Sequence, residues 1–60
     1  MAWEKTIRTG DRSADVRALE QARAQGRAQG LVVQANPLPG GGGGWHVRAL
    51  LPSALRTRAQ

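Results

Sequence analysis

Apolar and polar residues alternate in three short stretches of this chain, and a helical period of about 3.6 residues runs through one longer stretch. Over residues 2–9, Ala-Trp-Glu-Lys-Thr-Ile-Arg-Thr, Trp3 and Ile7 share a face with Lys5 and Thr9. This is a strand pattern, ended by Gly10-Asp11. Residues 14–29 are built from Ala, Arg, Gln, Leu and Glu, all good helix formers. At about 100° per residue, Val16, Leu19, Ala22 and Gly26 fall on one narrow stripe, which is a thin apolar face made of small residues. Asp11 and Ser13 are both candidate N-caps, and Asp15 in the first turn suits the positive end of the helix dipole. Glu20 is spaced to pair with Arg23. Gly26 weakens the helix and invites fraying beyond it, and Gly30 is a natural stop.

Residues 31–36, Leu-Val-Val-Gln-Ala-Asn, give a second strand. Its first half is apolar on both faces, which suits a central position in a sheet. Pro37, Pro39 and the glycines 40–44 predict a loop over 37–44 and no regular structure. Residues 45–51 resume strand alternation, with Trp45, Val47, Ala49 and Leu51 on one side and His46, Arg48 and Leu50 on the other. Pro52 ends the run, and residues 53–60 form a basic tail, as coil or one short helical turn capped by Ser53. The expected fold is α+β: a small two-layer strand–helix–strand–strand domain over residues 1–52, with a three-stranded sheet and one helix. The last two strands form an antiparallel hairpin. The first two run parallel, joined by a right-handed crossover.

Composition thins the expected core. Of the 40% apolar residues many are Ala, and Trp3 and Trp45 are the only aromatic side chains. A chain this short buries only about 60% of its unfolded surface, and small domains usually lean on disulfides, a metal or a partner. There is no Cys, and one His with scattered carboxylates makes a poor metal set, so neither cofactor nor metal is expected. A partner remains, either further copies of the chain or another macromolecule. No stretch approaches the roughly 20 apolar residues of a membrane span, and no signal peptide is expected. A cytoplasmic or virion location follows as the expectation.

Charge is the most uneven property. The four acids, Glu4, Asp11, Asp15 and Glu20, all lie in the first twenty positions, where Lys5, Arg8, Arg12 and Arg17 balance them. The net charge of +5 therefore sits wholly beyond Glu20. Such a chain meets an anionic partner, either nucleic acid or an acidic protein surface. The candidate contact residues are Arg17, Arg23, Arg27, His46, Arg48, Arg56 and Arg58. Arg outnumbers Lys eight to one, and Arg suits bidentate phosphate or carboxylate contacts, although Ala/Arg/Gly bias in the chain accounts for part of the ratio.

Catalytic patterns are missing from the sequence. The glycine run lacks the Lys-Ser/Thr and following helix of a phosphate-binding loop, so it reads as a hairpin connector. His46 has no acid near it in sequence to orient it for acid–base work. Trp45 offers a stacking surface only if it leaves the core. The expectation is a small, basic, non-enzymatic protein that contacts nucleic-acid backbone through its arginines. The alternative is a structural or assembly subunit, such as a component of a phage particle, held by strand pairing and acidic neighbours.

Overall fold

The computed structural model describes residues 2–54, and the expected tail with Arg56 and Arg58 falls almost wholly outside them. Strand β1 spans Trp3–Ile7, helix α1 Arg12–Ala28, strand β2 Val32–Pro37 and strand β3 Trp45–Leu50. The result is the expected small α+β domain, a three-stranded antiparallel sheet with one helix on one face. The strand order is β1-β3-β2. Both outer strands run antiparallel to β3, so β1 and β2 are parallel to each other without touching.

This order corrects the expectation that the second strand is central. β2 is an edge strand, and Val32 on its open face is 37% exposed. The most sheltered strand is instead β3, with Val47 and Ala49 fully buried. Antiparallel pairing on both sides of β3 replaces a direct parallel β1–β2 ladder, whose slanted bonds are slightly weaker per residue.

α1 begins two residues before the predicted start because Asp11 caps it, accepting from the Ser13 N–H at 3.2 Å. The helix does not fray at Gly26. It runs on to Ala28 and closes with the Gly30 N–H on the Arg27 carbonyl at 3.0 Å and the Leu31 N–H on the Gly26 carbonyl at 2.9 Å. Gly30 takes φ +75 between them, and Leu31 is buried behind it, which completes a Schellman closure.

The core is small. Ile7, Leu19, Ala22 and Val47 form its centre, with Trp3, Ala18, Val33, Ala35 and Trp45 packed around them. Both Trp side chains therefore belong to the helix-covered side. The predicted stripe is shifted by one position: Val16 is 38% exposed, and Asp15 takes the buried place at 3%. A carboxylate can lie there because Thr9 meets it. The Thr9 N–H and hydroxyl both donate to Asp15 Oδ1, at 2.8 and 2.7 Å. Gly26 is buried because the helix touches the sheet there. A Cβ on Gly26 would overlap Val33 Cγ2.

Two further boundaries move. Pro37 belongs to β2, paired with Trp45 at the end of an edge strand where no N–H is needed. Leu51 leaves the core side and is 42% exposed, and the Ala54 N–H donates to the Leu51 carbonyl at 3.0 Å, starting a helical turn at 52–54.

Candidate anion-facing surfaces

The predicted contact residues do not converge on one face. Arg17, Arg23 and Arg27 are exposed on α1, above the covered side of the sheet. His46 and Arg48 lie on β3 and point to the opposite, open side. Arg56 and Arg58 lie outside the described residues.

On the open side, strand register builds two polar rows. Glu4, Arg48 and Gln34 lie abreast, as do Thr6, His46 and Asn36. Glu4 sits between the two basic groups. Its carboxylate is 3.5 Å from His46 Nε2 and 3.8 Å from Arg48 Nε. The antiparallel β1–β3 pairing thus supplies the acidic neighbour that His46 lacks in the linear sequence. Period-two alternation alone could not reveal it, because the register between distant strands is needed. The pairs are loose and Glu4 is 63% exposed, so each is worth only about 0–1 kcal/mol. Among the described residues buried Arg48 Nε has no hydrogen-bond partner, since 3.8 Å to Glu4 is too long for one. Part of the positive charge on this face is therefore already answered by Glu4.

The helix side differs. Among the described residues both ion pairs go to Glu4, and the Glu20–Arg23 pair expected along the helix does not form. Arg23 and Arg27 stand one turn apart on the flank of α1 that overhangs β2. With Leu31 and Val33 they line a groove of about 280 Å³. One wall is cationic and the other aliphatic.

A larger cleft of about 360 Å³ lies between the start of α1 and glycines 41–44, with Arg12, Trp45 and Asp15 in its wall. The Arg8 guanidinium lies against Gly42. The loop closes on itself through the Leu38 N–H and the Gly44 carbonyl, at 3.1 Å. The Asp15 carboxylate in the same wall offsets part of the positive charge that Arg12 and Arg8 bring to the cleft. Among the described residues no three His, Asp or Glu gather where a metal ion could be held. No helix among them is long and apolar enough to cross a membrane.

No family model, curated protein or solved structure matches this chain.

Proposed function

We propose that this chain is a small, non-enzymatic binding module that takes an acidic protein partner on the Arg23–Arg27 flank of α1, as a structural or assembly subunit does. The observation that carries this reading is the groove itself. Two guanidiniums that have no carboxylate partner among the described residues face an aliphatic wall of Leu31 and Val33. A peptide brings both carboxylates and apolar side chains to such a groove. A phosphate chain uses the guanidiniums alone, and bases stack best on exposed aromatic faces, whereas both Trp pack on the core.

Nucleic-acid backbone is the second reading. It is favoured by the concentration of net charge beyond Glu20 and by the exposure of Arg17, Arg23 and Arg27 together on the helix. On this reading the contacts go to phosphates and carry little sequence information.

Fluorescence anisotropy separates the two, with labelled acidic peptides and labelled single- and double-stranded oligonucleotides titrated at low and at physiological ionic strength. Peptide binding that survives physiological salt and is lost in the R23A/R27A variant supports the protein partner. Oligonucleotide binding that is stronger than peptide binding, falls steeply with salt and needs the same two arginines overturns it in favour of nucleic acid.

A further inference from the structure

Building on the acidic partner proposed above, we infer that β2 accepts an extended acidic segment as a fourth strand, with carboxylates at alternate positions reaching Arg23 and Arg27.

Among the described residues nothing pairs with the outer edge of β2, and that edge fixes the geometry. The Leu38 N–H donates to the Gly44 carbonyl, one step beyond the Pro37–Trp45 pair. Bonded and non-bonded pairs alternate along an antiparallel ladder. Val32, Gln34 and Asn36 are therefore the residues bonded to β3, through Leu50, Arg48 and His46. Val33 and Ala35 turn their N–H and carbonyl groups outward, away from the sheet. Pro37 offers a carbonyl only, which limits how far an added strand can extend that way. The edge is thus a short template with two donors.

Side-chain direction follows from the same register. Residues directly opposite Val33 and Ala35 in an added strand carry their side chains on the same face as those two, which is the helix side. Val33 already lines the groove beneath Arg23 and Arg27. Alternate residues of a strand lie about 6.7 Å apart, and one helix turn of four residues rises about 6 Å. An acid–x–acid segment therefore matches the spacing of the two arginines. The intervening residue falls on the open side next to Gln34, between Val32 and Asn36.

Two observations select this occupant. Leu31, just before β2, and Val32 and Val33 within it make the two-sided apolar pattern of a covered strand, yet β2 stands at an edge with Val32 exposed. Charge excludes the simplest self-pairing. Two copies joined β2 to β2 about a two-fold axis would bring Arg23 and Arg27 of both chains together on one face, with no acid in the groove to separate them.

The test uses the full chain labelled with ¹⁵N and a peptide of alternating Glu and Val. Binding should protect the Val33 and Ala35 amides from hydrogen exchange. R23A/R27A should weaken affinity about tenfold or more, as loss of charge-assisted contacts requires. Two N-methylated peptides then isolate the backbone. Methylation at the positions facing β2 should abolish binding, and methylation at the alternate positions should leave it unchanged. If both methylated peptides bind as well as the parent, strand addition is wrong while the acidic-partner reading stands. If no acidic peptide binds at low salt, both fail. Protection of Val33 and Ala35 that rises with protein concentration without peptide, and persists when peptide is added, assigns the edge to a second copy and overturns the inference.

Discussion

Gly26 and Val33 are packed so closely that the helix can cross the sheet there only because residue 26 has no Cβ. Helix propensity alone favours Gly26→Ala by about 1 kcal/mol. Overpacking a tight contact costs about 1–3 kcal/mol, and a β-branched Val has few rotamers through which to retreat. G26A should therefore lower stability in urea denaturation, and adding Val33→Ala should recover part of the loss. If G26A alone is stabilising, the helix and sheet are not in contact at this point.

Leu19 and Val16 distinguish the two versions of the helix face. Leu19 is 7% exposed at the centre of the core, whereas Val16 is 38% exposed. Leu19→Asp places an unpaired charge in a core with few other large side chains and should unfold the chain. Val16→Asp should stay folded, with a change of about 1 kcal/mol or less. Circular dichroism and thermal melting read both. Equal damage from the two would restore Val16 to the core.

The order of elements, the main helix and three of the four expected inward residues of the last strand, Trp45, Val47 and Ala49 but not Leu51, were legible in the sequence, because each rests on a local period. What was not legible depends on pairing between distant segments. The two-sided apolar run at 31–33 looks central by composition, but β3 returns between β1 and β2 and leaves it at the edge. Asp15 looks like a dipole partner on the surface until Thr9, two residues beyond β1, folds back onto its carboxylate. Glu4 and His46 are far apart in sequence and meet only through strand register. Gly26 reads as a helix weakness because the sequence does not show what lies beneath it.

The glycine run is also less uniform than its composition. Gly44 has φ +92, and a Cβ there would press on the Ile7 carbonyl and Leu38. Gly42 has an ordinary φ, and a Cβ there meets only the movable end of Arg8. Gly44→Ala should cost more than about 1 kcal/mol, and Gly42→Ala should be nearly neutral. Thermal melts of the two variants provide the measurement. Equal tolerance at both sites would mean that the run is a featureless connector.

Glu4 holds His46 and Arg48 loosely, so its removal should matter little to stability. Glu4→Gln should change unfolding free energy by about 1 kcal/mol or less, and high salt should erase the difference. Its effect on oligonucleotide affinity is more telling. If Glu4 shields an anion surface on the open side, E4Q should strengthen low-salt binding to oligonucleotides of any sequence. No change would confine anion contacts to the helix side.

Amide exchange in the free protein reads out the parity on which the edge geometry depends. Gln34 and Asn36 are assigned to the bonded set because Leu38 donates to Gly44 two residues further on. Val33 and Ala35 then have amides that face solvent at the edge. Hydrogen exchange follows whether an amide is bonded and how often its unit opens. The Gln34 and Asn36 amides should thus exchange slowly, near the rate set by global unfolding, while Val33 and Ala35 exchange quickly although their side chains are half-buried. Burial alone would rank them the other way, because Gln34 and Asn36 have exposed side chains. Slow exchange at Val33 and Ala35 in dilute, peptide-free protein, with Gln34 and Asn36 fast, would reverse the parity. The two outward donors would then belong to Gln34 and Asn36, and carboxylates of an added strand would face the open side instead of Arg23 and Arg27.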